Sequence, residues 1–518
     1  MNDLQAIVKE ADVVSFDLVD TLLVRDICRP IDIHRLSHEC FNATSGRYLT
    51  EELAPRRLDA ASALQVEAEE AGRCRQSVTF DAIHERMAEL MLLDPTTAAL
   101  LARSELDTER RLLRANPRML ELYAFAVEQG KQIICVSDTY LPRSFLEEVL
   151  AEAGITAISD LLISCETGTS ISDGSSWAEI VRRFPERHVV HVGSDGPAAA
   201  AAERHGVEVH HVPRATDGYR QQHGPAAALN GPLVFHHLEV DGFRLKNLHR
   251  SLLNAPVAHK VMADDVPSAA YVVGYGALGP LMTGFVQWLH RAAGRSGCDS
   301  LCFADPDGRF IAHAYRAWWG GAALPSHLLS GGGSGVGPSG VATDFAGGGG
   351  STRPAAVAIG WDSATARWDG GVLTGRWERP PVAGLCFGVG PVPVPPDDAM
   401  PTYAFADGRI EALRSLYDDM LGMSRGFLER CLGTTAALYD DASDGGSNDA
   451  VLLGAVQQGA LDYVTAFRRL TDGLPSTVAV VDRQTACENM VMVLNFPLPQ
   501  AERVLDRLRP VTRPPLSG

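Results

Sequence analysis

Apolar positions recur along this chain with two different periods, and the change of period divides it. A short amphipathic stretch at 4–10 precedes the apolar run VVSFDLV at 13–19, which predicts a buried strand. From about 30 to 125 apolar residues return every three or four positions, through DIHRLSHECF, LTEELAPRRLDAASALQVEAEEAG, TFDAIHERMAELM and LARSELDTERRLLRAN. That period belongs to amphipathic helices, and the Ser, Thr, Asp and Pro between them supply starts and stops. After 119 the pattern alternates. MLELYAFAVEQG, SFLEEVLAEAG, WAEIVRRFP and an alanine-rich run at 198–205 read as helices between the strands KQIICVSD, ITAISDLLISC, HVVHVGSD and VEVHHV. Continuous apolar strands separated by helices predict a parallel sheet covered on both faces. The long helical stretch interrupts this unit after its first strand. Residues 1–225 are therefore expected to form a Rossmann-like α/β core, with an inserted helical cap at 24–125.

The segment RATDGYRQQHGPAAALN, around 214–230, reads as a linker, and 226–518 as a second domain. Residues 258–294 predict one or two apolar helices broken near Gly274 to Pro280. DSLCFADPDG predicts a strand and turn, RFIAHAYRAWW a helix, and AAVAIGWD and LCFGVG further strands. Between them lies the glycine-rich tract at 331–350, expected to be a loop. Helix returns over 408–470, followed by the apolar run STVAVVD. The pattern fits either an α/β or an α+β domain.

Hydrophobic residues at 46% and charged residues at 21% are the proportions of a folded protein, so disorder is not expected over most of the 518 residues. A net charge of −18 disfavours binding to nucleic acid or anionic lipid. Ten cysteines without a CxxC pair argue against a disulfide framework. No stretch of about 20 uninterrupted apolar residues suggests a membrane span, and the first residues lack the apolar core of a signal peptide. The expectation is a cytoplasmic protein without nucleic-acid or membrane partners.

Ligands of open parallel sheets bind beyond the carboxyl ends of the strands. Asp17, Ser137–Asp138, Ser164–Asp173 and Ser194–Asp195 lie there. Asp17 precedes a turn containing Asp20 and Thr21, where a carboxylate can serve as a nucleophile or as a magnesium ligand. The Ser137 hydroxyl can hold a transferring group. Arg25 is placed to bind a substrate anion, or to pair with the cap. Asp305 and Asp307 bracket a turn, and the glycine-rich tract lacks the Lys-Ser/Thr ending of a phosphate-binding loop.

Together these residues resemble the haloacid-dehalogenase superfamily. VVSFDLVDTLLVR is similar to its first motif, with Asp17 as nucleophile and Thr21 four residues later; IICVSDTYLP is similar to its second, with Ser137 in the hydroxyl role. The resemblance places the basic motif within SCETGTSISDGSSW and the acidic one at HVVHVGSDGPAAAA. The FD-x-(aliphatic)-DTLL-x-R and SD-x-YLP forms further resemble two-part hydrolases found beside glycosyltransferase or natural-product genes, as does FADPDGRFIAHAY at 303–315 more weakly. The resemblance implies a hydrolase or transferase acting on a small, phosphorylated metabolite. It implies Asp17, Asp20, Thr21 and Ser137 as catalytic residues, Arg25 and Asp138 at the substrate, and Mg2+ on Asp17 and Asp195. The C-terminal domain is expected to supply a substrate pocket or a partner surface.

Three departures from the family pattern change that chemistry. Val19 stands where phosphatases carry the acid that protonates the leaving group, and dehalogenases also lack that acid. Ile171 stands where a lysine is expected, and no Lys or Arg occurs between Leu161 and Ile180. Ser194 follows Gly193 in place of an acid, with Asp195 one residue later. The alternative expectation is a degenerate member that uses the pocket for binding or as a scaffold.

Overall fold

The computed structural model describes residues 2–193, 201–214, 244–262, 269–295, 300–304, 307–329, 354–360, 382–386, 403–404, 448–481 and 486. The chain divides into two compact units, Met1–Tyr219 and Arg220–Gly518. The expected linker at 215–230, the glycine-rich tract at 331–350, and Ser194, Asp195 and Asp305 lie outside the described residues.

In the first unit α1 (Asn2–Glu10) leads into β1 (Val13–Asp17), all five residues of which are buried. A five-stranded parallel sheet is completed by β4 (Gln132–Ser137), β5 (Asp160–Ile163), β6 (Val189–Gly193) and β7 (Glu208–His211), in the order β5-β4-β1-β6-β7. Period-two alternation sorts the side chains. Val14 and Phe16 join the core formed with α6 (Pro117–Glu128) and α7 (Arg143–Glu152), through Leu122, Ala126, Leu146 and Val149. Val13 joins the opposite core, with Ile171, Trp177 and Ile180 around α9 (Ser175–Arg183). Both faces are thus covered by helices, which is why the strands read as unbroken apolar runs. The chain builds outward from β1 through β4 and β5, then crosses to β6 and β7. The reversal falls between β1 and β6, and ligands of such sheets bind at that point.

Between β1 and β4 the chain inserts β2 (Leu23–Arg25), four helices and β3 (Leu113–Ala115). The helices are α2 (Ile31–Thr44), α3 (Leu53–Glu70), α4 (Phe80–Leu90) and α5 (Pro95–Leu112). They pack on their own apolar core, including Phe41, Leu53, Ile83, Met87 and Leu101. β2 and β3 pair antiparallel and close the base of the insert. The insert therefore ends at Ala115, short of the expected 125. Pro117 opens α6, and Met119, Leu122 and Ala126 belong to the sheet's core.

The second unit has its own parallel sheet, of β8 (Ser300–Ala304), β9 (Ser326–Leu329), β10 (Pro354–Gly360), β11 (Val382–Cys386) and β12 (Tyr403–Ala404). Its order is β12-β11-β10-β8-β9, so the domain is α/β rather than α+β. Its helices include α10 (Arg244–Met262), α11 (Ala269–Val273), α12 (Gly279–Arg295), α13 (Asp307–Trp319), α14 (Asn448–Thr471) and α15 (Ser476–Ala479). The last of these lies at the start of the apolar run STVAVVD.

The break expected near Gly274 to Pro280 is instead a π-helical turn, Gly274–Leu278, joining α11 to α12. The wider turn suits Pro280, which lacks an N–H and would clash in a regular α-turn. The joined helix Ala269–Arg295 is long and apolar enough to cross a membrane, but 94% of its most apolar window is buried. It meets α14 backbone to backbone. A Cβ on Gly274 would lie 1.8 Å from the Val456 carbonyl oxygen, and one on Gly459 would lie 2.1 Å from that of Tyr271.

Candidate active site

Asp17 ends β1, the central strand, and is 9% exposed. It lies in register with Val136, so Ser137 of β4 extends one residue beyond it; Ser137 is 3% exposed. Strand alternation turns the two side chains toward opposite faces of the sheet, at the carboxyl ends of neighbouring strands. After Asp17 the backbone makes one wide turn, with the Leu22 N–H donating to the Asp17 carbonyl at 3.3 Å and the Leu23 N–H to the Leu18 carbonyl at 2.8 Å. This turn buries Thr21 completely, and its hydroxyl has no partner among the described residues. A buried hydroxyl of this kind is costly unless something else bonds it.

Asp20 has a left-handed backbone, φ 66°, which Asp tolerates better than most residues. It sits near enough to Arg25 to favour that guanidinium's charge. Val19, half-buried, packs on the core and offers no proton.

Both residues expected at the substrate, Arg25 and Asp138, have partners within the protein. Arg25 makes a bidentate ion pair with buried Glu109 of α5, with both bonds at 3.0 Å. Burial opposes the Arg25 charge, and Glu109 more than offsets that, leaving the pKa above its usual value. Asp138 is an acceptor for the 168–174 loop. It takes bonds from the Ser170 hydroxyl at 2.6 Å, the Ile171 N–H at 2.9 Å, and the Ser172 hydroxyl at 2.9 Å and N–H at 3.3 Å. These contacts fix the loop in which the sequence resemblance expects a lysine. In it, Ile171 is 4% exposed and packs in the apolar core with Trp177, so the loop presents no cation. Glu166, in the short helix after β5, is paired with Arg143 at 2.8 Å.

Among the described residues, no group of three or more His, Cys, Asp or Glu side chains gathers to hold a metal. Asp17 supplies one carboxylate, and Asp195 lies outside the described residues. Magnesium is usually held by one or two carboxylates and keeps several waters; of the expected pair, Asp17 is the one described.

Two features were not legible as site elements in the sequence. Beneath Asp17, the Ser15 hydroxyl meets His191 Nδ1 at 2.8 Å, and both side chains are buried. The Trp177 ring meets the imidazole edge-on, with centroids 4.7 Å apart. Burial lowers the His191 pKa to about 3, so the ring is neutral. The second feature lies inside the insert. Glu105 of α5, fully buried, accepts from Arg57 of α3 at 2.9 Å and lies 3.0 Å from His84 of α4 and 3.5 Å from His34 of α2. Burial pushes the Glu105 pKa up, but His34 and Arg57 outweigh it and hold the carboxyl well below its ordinary range. Arg57 also lies over the Tyr140 ring, 4.6 Å from its centroid, and Phe80 of α4 stacks on Tyr140 at 6.4 Å. Tyr140 follows the Ser137 strand end. The insert's charged centre is therefore docked onto the segment that leaves the candidate site.

No family model and no curated protein matches this chain. Solved structures do. A 2-haloacid dehalogenase from Pseudomonas syringae pv. Tomato DC3000 is 17% identical, with 38% of this chain and 85% of that chain covered and a TM-score of 0.29. The structural neighbours are of haloacid-dehalogenase type. A predicted phosphoglycolate phosphatase from Haemophilus somnus is 15% identical, covering 40% of this chain and 90% of the other at a TM-score of 0.26. A haloacid-dehalogenase family enzyme from Bacteroides thetaiotaomicron, in complex with magnesium and inorganic phosphate, is 11% identical and covers 39% and 95% at 0.27. Likenesses at such TM-scores assign no chemistry to this chain.

Proposed function

We propose that the N-terminal unit is an aspartate-nucleophile hydrolase or transferase for a small, activated or phosphorylated metabolite. A carboxylate oxygen of Asp17 attacks the electrophilic carbon or phosphorus, and the bond to the leaving group breaks as its electron pair departs. Water then cleaves the ester at Asp17 and restores the carboxylate. Val19 offers the leaving group no proton, so the favoured substrates have leaving groups stable as anions. The hydroxyls of Ser137 and Thr21 are the candidates to hold the transferred group. The observation that carries this reading is a buried Asp17 at the carboxyl end of the central strand, at the sheet's switch point.

The second reading, a ligand-binding member without turnover, is favoured by Ile171, which is buried where a lysine would offset charge. A screen of aryl phosphates, acyl phosphates and haloacids on the full chain separates the two. Turnover abolished in D17N supports the enzyme. Turnover indifferent to D17N rejects this nucleophile, and binding without turnover across the panel supports the second reading.

A further inference from the structure

Glycine at 193 marks a meeting point. A Cβ there would lie 2.4 Å from His191 Nε2 and 3.3 Å from Asp17 Cβ. The imidazole and the candidate nucleophile therefore crowd the same space at the end of β6, and a side chain at 193 would part them. The orientation of the ring is fixed from below. Ser15 is opposite His191 in the strand register, and its hydroxyl meets Nδ1.

Hydrogen-bond satisfaction selects the tautomer. Ser15 is fully buried, and among the described residues His191 Nδ1 is the partner of its hydroxyl. If Nδ1 carried the proton, the Ser15 O–H would be left without an acceptor there. With the Ser15 hydroxyl donating to Nδ1, the proton sits on Nε2. Nε2 has no partner among the described residues. It is an N–H donor on a ring 3% exposed, held against the strand end where Asp17 stands.

We propose that His191 is a positioning residue for Asp17 in place of the absent lysine: its Nε2–H, unbonded among the described residues, stands beside Asp17 and closes on the carboxylate when substrate fills the site, as catalytic hydrogen bonds that are long in the free enzyme tighten in the complex. The face is the appropriate one. Ile171 fills its position with apolar side chain and packs with Trp177, whose ring lies edge-on to His191. A neutral donor fixes the carboxylate's direction without adding a cation to the site. This inference rests on the Asp17 reading, and its test separates the two.

The direct readout needs no turnover. Long-range nitrogen–proton NMR of the histidine rings in the full chain should show His191 as the Nε2–H tautomer, with that resonance displaced in D17A. An Nδ1–H tautomer, or identical ring resonances in wild type and D17A, overturns the proposal whatever the enzyme does. The kinetic readout uses two variants on a substrate found by the screen. H191N keeps a group for Ser15 but stops short of Gly193, whereas H191Q returns an N–H near the Nε2 position. H191N should lower kcat by about 10²–10³-fold with KM little changed, the usual loss for one positioned donor, and H191Q should recover most of it. H191N equal to wild type while D17N is dead overturns the His191 role and leaves the Asp17 reading standing.

Discussion

Replacing Glu105 with Gln should loosen the insert while leaving the sheet beneath it intact. The magnitude follows from burial: Glu105 is 0% and Arg57 1% exposed, so E105Q strands a guanidinium away from water. Removing one member of a buried pair costs about 3–5 kcal/mol, because the remaining charge is uncompensated. His34 and His84 lose a partner as well. Replacing both members with apolar residues is far less costly, so R57M/E105M should recover at least about 2 kcal/mol of the loss. Hydrogen exchange of the full chain, read on peptides from α2–α5, measures this directly. Opening should accelerate about 10²–10³-fold in E105Q, since each 1.4 kcal/mol is roughly tenfold. Peptides from β1 and β4 should change little. The pH dependence has a definite sign. The folded Glu105 pKa lies below its unfolded value of about 4.3, so the stabilisation is present above that pH and is lost as pH falls further. Exchange in E105Q within about threefold of wild type, or a double variant worse than the single, would refute the assignment of a stabilising ion cluster.

Other expectations follow from single contacts. The His191 pKa falls from about 6.5 unfolded to about 3 folded, so acid favours the unfolded state; from pH 7.5 to 5 wild type should lose about 2 kcal/mol relative to H191Q, read by urea-dependent exchange over 186–193, and parallel curves would contradict it. G459A should destabilise the α11–α14 contact by about 1–3 kcal/mol or more, seen as faster exchange in 269–295 and 448–471, because the added methyl meets the Tyr271 carbonyl; unchanged protection would show that the helices separate freely. EDTA tests the Mg2+ expected on Asp17 and Asp195, and turnover that survives chelation within about threefold would argue against the ion. Loss on chelation, restored by Mg2+, would show that residues beyond the described set complete a metal site.

Much of the first unit is legible in the sequence because its strands are buried on both faces and its helices are amphipathic. VVSFDLV, KQIICVSD and HVVHVGSD each carry that signature, and Asp17 and Ser137 end the first two strands as expected. The insert's helices are equally plain from their period. Its charged centre is not, because Arg57, Glu105, His34 and His84 come from four separate helices and look like ordinary polar positions. Of the two uses open to Arg25 the structure shows the pairing with the insert, through Glu109, while Asp138 accepts from the Ser170 hydroxyl and the Ile171 and Ser172 N–H groups. The Ser15–His191 pair was hidden by register, since the two residues are 176 positions apart and meet only when β1 and β6 align. A polar residue inside each of two apolar strands was the available signal. In the second unit the strand spacing is visible, but the π-turn at Gly274–Leu278 depends on a helix from far along the chain.

The central claim is that Asp17 forms a covalent ester during turnover. Single turnover of the full chain in heavy-oxygen water, with enzyme in excess over an aryl phosphate or haloacid, tests it by mass spectrometry of the peptide containing residue 17. Water attacking a carboxyl carbon leaves the label in Asp17, whereas attack on phosphorus leaves it in phosphate and requires trapping of the aspartyl phosphate by acid quench or borohydride. A labelled or trapped Asp17 in wild type, absent in D17N, is the predicted result. Product formed with neither label nor adduct on Asp17 would contradict the account.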